Sequence, residues 1–265
     1  MVKTEIITLL TDFGTADAYV ACIKGVILSI NPRAVIVDIS HAVPRFNIRY
    51  GAYMLMQAAR HFPADTVHVA VVDPGVGTRR LPIIIETRRY IFIGPDNGVL
   101  SLAATDDGVR SVYRIENKRY MLSQPAETFA GRDIFAPVAA YIAAGIPPSN
   151  MGSELGTYEE VSIPKPIVEE KHVKGEVLTV DSFGNLITNI RLSDLMPTIK
   201  HSRRITIKVK GVSTQLPFVP SYGYVDKGET LALMGSVGFL EVAVNQGNAS
   251  KRFQAKAGDL LEIFI

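Results

Sequence analysis

The chain has 265 residues, 47% of them apolar and 20% charged. That is enough to bury two modest cores and too apolar for intrinsic disorder. The balance of 28 Lys plus Arg against 26 Asp plus Glu gives a net charge of +2, which lacks the concentrated positive field of a nucleic-acid binder. A single cysteine, Cys22, excludes an internal disulfide framework and a cysteine-based zinc cluster.

No run approaches the roughly 18 unbroken apolar residues of a membrane span. Glu5 and Asp12 stand where a signal peptide would have its apolar segment. A soluble, cytoplasmic protein with no nucleic-acid or membrane partner is expected.

Strand-like and helix-like segments alternate through the first half. Residues 5–10 form a β-branched and leucine run ending at Thr11-Asp12-Phe13-Gly14. Asp17 opens a helical stretch that Asn31-Pro32 stops, because proline disfavours helical geometry in the residue before it. Asp17 is read as the N-cap of that helix, and Cys22 as one of its core residues. Residues 35–39 read as a second buried strand, 47–62 as a helix closed by Pro63, and 67–72 as a third strand. Residues 83–86 and 90–93 flank Arg88-Arg89 as two more strands, and 133–144 form a third helix. This alternation predicts an α/β layered domain over 1–160 with a mostly parallel sheet.

A charged segment with Pro164 and Pro166 follows, and 161–172 reads as a linker. Beyond it, 176–180, 186–190, 204–209, 230–234, 241–244 and 260–265 are short strands separated by turn residues. They predict a C-terminal antiparallel β-barrel domain over 173–265.

Two acids end buried strands of the first half. Asp12 follows the first, at the position where α/β sheets bind ligands and where a carboxylate can hold a ribose diol; an Asx turn fits equally well. Asp73 ends the third and is followed by Pro74-Gly75-Val76-Gly77-Thr78-Arg79-Arg80. Arg80 occupies the third glycine position of a dinucleotide fingerprint, so that motif is absent. A carboxylate and a guanidinium at a strand end can fix a water, bind an anion, or form a structural ion pair. The histidines show no metal-ligand spacing, and Met234-Gly235-Ser236-Val237-Gly238 lacks the first glycine of a nucleophile elbow. Neither a metal nor a covalent mechanism is expected. In the second half, Asp181-Ser182-Phe183-Gly184-Asn185 is a hairpin turn by one reading. By another it offers a carboxylate for an ammonium, an aromatic face for a base and an amide for an adenine edge.

Together these segments resemble the S-adenosylmethionine hydroxide adenosyltransferase family, relatives of the fluorinases and chlorinases. The resemblance rests on TLLTDFGTADAYV at 8–20, VDISHAVPRFNI at 37–48, VVDPGVGTRR at 71–80, IGPDNGVLS at 93–101, GRDIFAPVAA at 131–140, DSFGNLITNI at 181–190 and VNQGNAS at 244–250. It implies hydrolysis of S-adenosylmethionine, the substrate rather than a cofactor, to adenosine and methionine by water attack at C5′. It implies a homotrimer with each site shared between two subunits. Asp12 would bind the ribose hydroxyls, Asp17 would lie near the methionine and Phe46 would pack on the ligand. Asp181 would meet the ammonium, and Phe183 and Asn185 the adenine, with Tyr222, Ser236 and Glu241 also at the site. Val237 stands where the halogenases carry an arginine. Asp73 and Arg80 match two catalytic positions, while the third, a histidine in hydroxide-using members, is Ala130 here. The chain is therefore expected to be a low-activity variant. A halogenase and a non-catalytic binder of the same ligand remain the alternatives.

Overall fold

The computed structural model describes residues 5–124, 126–195 and 204–264. The chain divides into two compact units, 1–161 and 162–265. No helix among the described residues is long and apolar enough to cross a membrane.

The N-terminal unit is built on a seven-stranded sheet. Its strands are β1 (Ile6–Thr11), β2 (Val35–Ser40), β3 (Val67–Val71), β4 (Pro82–Thr87), β5 (Ile91–Pro95), β6 (Val109–Arg114) and β7 (Glu154–Leu155), in the order β2-β1-β3-β5-β4-β6-β7. The expected parallel sheet is the half made of β2, β1, β3 and β5. The other half is antiparallel, because Arg88-Arg89 sit in a hairpin that folds β5 back along β4. β3 is buried along its whole length, as a central strand covered on both faces must be, and its sequence is accordingly almost wholly apolar. β2 is not the buried strand its sequence suggests. It lies at the sheet edge, where every residue keeps some exposure.

Helices cover both faces. On one, α1 (Tyr19–Ile30) and α4 (Ala136–Ala143) pack on Ile7, Leu9, Val67, Val69 and Val71. On the other, α2 (Ile48–Ala59) and α3 (Ser101–Asp107) pack together, and Gly51 lets α2 approach Val72 closely. Helix α1 buries Val20, Ile23 and Ile27, a stripe at the i, i+3, i+7 spacing. Cys22 falls off that stripe and is exposed, not in the core. The N-cap of α1 is Ala18, which makes no side-chain cap bond; Asp17 does not cap the helix. Residues 131–135 form a π-helical turn leading into α4, and Pro137 is accommodated at the start of α4.

In the C-terminal unit β9 (His172–Val180), β10 (Leu186–Arg191), β11 (Arg204–Val209), β12 (Val212–Pro217), β13 (Thr230–Met234), β14 (Phe239–Val244) and β15 (Leu260–Phe264) form an antiparallel sheet. The order is β12-β11-β15-β9-β10-β14-β13, and β8 (Ile167–Glu169) pairs with β9. The segment expected as a linker thus contributes a strand. β8 is short and exposed throughout, so it has no apolar period to announce it. Phe218 bridges Ala232 and Val219 N donates to Ala232 O at 3.0 Å, drawing the two ends of the sheet together into a near-barrel. β11 shows why: Ile205, Ile207 and Val209 point inward while Lys208 faces water. Helices α5 (Leu192–Leu195) and α6 (Ala249–Phe253) complete the unit. Residues 1–4 and 125 of the expected N-terminal domain, and 196–203 and 265 of the expected C-terminal domain, lie outside the described residues.

One buried polar group sets a pH limit on this architecture. His68, opposite Thr8 in the β1–β3 register, is fully buried, accepts or donates a 2.8 Å bond at Nδ1 to Thr8 Oγ1, and stacks on Phe92. Burial pushes its pKa down from 6.5 to about 3. The folded state therefore refuses a proton that the unfolded chain takes up below about 6.5, so stability falls as pH drops through that window. The slope from this group is about 1.4 kcal/mol per pH unit. Urea unfolding of the wild type at pH 7 to 4 should show it. His68→Gln, which retains a partner for Thr8 and cannot titrate, should be flatter over the same range; parallel curves would refute the assignment.

Candidate functional site

In the N-terminal unit the site grows from strand ends. β1 and β3 run parallel with Thr11 opposite Val71, so the residues leaving both strands emerge at one edge of the sheet. Asp12 leaves β1. Its Oδ2 accepts from Phe46 N at 2.8 Å, tying β1 to the loop before α2. Phe46 sits at φ 64, a left-handed conformation that costs a non-glycine residue energy and persists where bonds hold it. Thr11 Oγ1 bonds His41 Nδ1 at 2.9 Å, and Gly14 N donates to His41 O at 2.7 Å, fixing the neighbouring turn.

Asp73 lies two residues beyond the end of β3. Arg80 Nε donates to both of its carboxylate oxygens, at 3.1 and 2.9 Å, and Nη2 donates to Oδ2 as well. The Asp73 side chain is 5% exposed and that of Arg80 13%. Gly75 N also donates to Asp73 Oδ1 at 3.2 Å, and the guanidinium lies 5.6 Å from the Phe135 ring centre. Gly77, at φ 77, allows the loop to turn back so that Arg80 reaches the acid. Such a forked, largely desolvated pair is stiff and strongly oriented.

Asp12, Asp17, Phe46 and Asp73 line one cavity of about 370 Å³, together with Phe13, Tyr19, Arg45 and Val76. The first four were expected from the sequence. The last four were not, although Phe13 and Arg45 adjoin residues that were. Tyr19, Phe13 and Phe129 meet edge to face at 5.3 to 6.1 Å and form an aromatic wall. Ala130 is buried in the core at the start of the π-helical turn and does not line the cavity. The segment before it is held by Asp133, whose Oδ2 accepts from Ala126 N at 2.7 Å while Arg132 pairs with the same carboxylate.

In the C-terminal unit a second cluster lies between β9 and β10. Asp181 Oδ1 accepts from Phe183 N at 2.9 Å and Asn185 N at 2.8 Å, and its Oδ2 accepts from Asn185 Nδ2 at 2.8 Å. Gly184 turns the chain at φ 87, where a Cβ would collide with the Asn248 side chain. Asn185 is buried, while Phe183 is 76% exposed. Asp181 thus serves as the turn former, and the turn presents an aromatic ring outward.

Glu241 on β14 is buried and accepts from Tyr222 Oη at 2.8 Å. Burial pushes its pKa up, the Tyr222 bond opposes this, and the charge of Asp181 adds to the rise. A Cβ at Gly235 would lie against this carboxylate, so a larger residue there would displace the Glu241 side chain. Ser236 is exposed in the β13–β14 turn, and Val237 is buried. Among the described residues no group of three or more His, Cys, Asp or Glu is arranged to hold a metal ion.

Comparison with known proteins bears on both units. Residues 7–152 match the SAM hydroxide adenosyltransferase N-terminal domain and residues 175–262 the C-terminal domain of the same family. The chain is 39% identical to the (R)-S-adenosyl-L-methionine hydrolase of Methanocaldococcus jannaschii, over 98% of this chain and 95% of that one. A fluorinase of an Actinoplanes species is more distant, at 29% identity over 96% of this chain and 95% of the relative. A crystal structure of an uncharacterized conserved protein from Thermotoga maritima is 42% identical, covers 98% of this chain and 100% of its own, and superposes with a TM-score of 0.93.

Proposed function

The chain belongs to the SAM hydroxide adenosyltransferase family, and we propose that it hydrolyses S-adenosyl-L-methionine to adenosine and L-methionine. The observation that carries the reading is that Asp73, held by Arg80, lines the same cavity as Asp12. The relatives' name specifies the (R) sulfonium epimer, and we extend that preference to this chain.

The chemistry suits these groups. A sulfonium leaves as a neutral thioether, so no acid is needed to protonate it. Water oxygen forms the bond to C5′, the C5′–S bond breaks with its electron pair going to sulfur, and the proton of the water is released to solvent. What the protein must supply is a water aligned with the breaking bond and a field that favours hydroxide-like charge. In this reading Arg80 supplies the field and Asp73 orients both guanidinium and water. Asp12 holds the ribose hydroxyls, Asp17 lies by the methionine, and Phe46 packs on the ligand. Phe183 and Asn185 hold the adenine, Asp181 attracts the ammonium, and Tyr222, Ser236 and Glu241 complete the surroundings. A halogenase is disfavoured, since the Asp73 carboxylate on the cavity wall would repel a halide.

Incubating the (R) epimer in 18O-labelled water should place the label in the 5′-hydroxyl of adenosine. The (S) epimer should be consumed more slowly. Unlabelled adenosine, 5′-chloroadenosine formed with chloride present, or calorimetric binding with no product would overturn hydrolysis.

Ala130 stands where hydroxide-using relatives of the resemblance carry histidine, and a positioned acid–base group typically contributes about 10²–10⁴-fold. Ala130→His should raise the single-turnover rate by roughly 10²-fold with little change in dissociation constant, because ligand contacts are assigned to other residues. Equal rates would mean that Asp73 and Arg80 suffice.

The assembly we propose is a homotrimer in which the Asp12 cavity of one subunit is completed by the Asn185 cluster of another. The exposure of both Phe46 and Phe183 in the single chain supports it. Asp12→Ala and Asn185→Ala chains, inactive alone, should regain binding when refolded together. A monomer by light scattering, or no recovery, would refute the shared site.

A further inference from the structure

The charges of the Asp12 cavity do more than hold a nucleoside. Three carboxylates line it, from Asp12, Asp17 and Asp73, and one cation, Arg45. Asp73 is already matched by the forked donation of Arg80. That leaves two acids facing one arginine. Arg45 is exposed, and has no ion-pair partner among the described residues.

The substrate proposed above carries a net positive charge, sulfonium and ammonium against one carboxylate, which suits a cavity whose acids outnumber its arginine. A planar guanidinium matches a carboxylate with two parallel hydrogen bonds. Arg45 is also anchored for such a task. It immediately precedes Phe46, whose N–H is bonded to Asp12 Oδ2 and whose backbone is held in the left-handed region. The arginine is therefore tied through one peptide unit to the carboxylate assigned to the ribose.

We propose that Arg45 is the residue that recognises the amino-acid carboxylate of the substrate and so selects a sulfonium bearing an α-amino acid. This rests on the hydrolase reading. It makes Arg45 a specificity determinant for binding, with no role in the chemical step.

The test compares S-adenosylmethionine with its decarboxylated analogue on wild type, Arg45→Ala and Arg45→Lys. Arg45→Ala should lower kcat/KM for S-adenosylmethionine roughly tenfold or more, through KM. The analogue, having no carboxylate, should be turned over alike by wild type and Arg45→Ala. Arg45→Lys should recover part of the loss. An equal loss on both substrates, or none on either, would overturn the role of Arg45 while leaving hydrolysis standing. A wild type that turns over neither substrate would instead overturn the hydrolase reading. Dissociation constants for the same pairs would then decide on Arg45, with a carboxylate-dependent loss supporting it and an equal or absent loss refuting it.

Discussion

The pairing of β1 with β3 is the constraint on which the N-terminal site depends. Two parallel strands with Thr11 opposite Val71 must release their chains at the same edge, so Asp12 and Asp73 are neighbours however far apart in sequence. A parallel sheet buried on both faces tolerates no slip, since a one-residue shift would turn His68 and Ala70 to the face occupied by Val69 and Val71. The strands are therefore rigid, and the polar groups at their ends inherit that rigidity. The loops then refine it. Arg80 is brought back by a glycine turn to Asp73, and Asp12 reaches across to the amide of Phe46.

The two units use acids differently. Asp181 spends its oxygens on three donors within its own turn, so its first role is to shape the backbone that displays Phe183. Glu241 is buried on a strand and accepts a hydrogen bond from Tyr222, and burial makes its ionised form costly. Asp12 and Asp17 stand at the rim of a cavity where water still reaches them. Burial, backbone bonding and exposure thus separate carboxylates into structural and cavity-facing settings.

Much of this was legible in the chain. The apolar runs of β1 and β3, the acid after each, and the glycine-rich return to Arg80 follow from local rules of strand composition and turn chemistry. So did the in–out alternation of β11. What stayed hidden depends on tertiary context. Asp17 has the composition of a cap, yet the helix begins at Tyr19 with Ala18 before it and the acid turns to the cavity. Cys22 belongs to an apolar helix, but only one stripe of that helix is covered. The left-handed geometry of Phe46 is paid for by a bond from a residue 34 positions away, which no local window contains. The antiparallel half of the sheet turns on the hairpin at Arg88-Arg89, whose direction the strand pattern alone does not give. β8 and β12 were missed because both are largely exposed and carry polar residues.

The π-helical turn at 131–135 makes the region a matter of counting as much as of composition. Each residue of an α-helix advances the chain by about 100°, and a π turn holds one residue more than an α turn in the same span. Everything upstream of Gly131 is therefore rotated relative to α4 by that additional residue. Ala130, Phe129 and the aromatic wall that Phe129 shares with Tyr19 and Phe13 owe their azimuth to it. A chain that lost one residue here could keep every side chain named above and still aim them elsewhere. The spacing between Phe129 and Pro137 is thus under tighter geometric control than the identity of the residues that fill it.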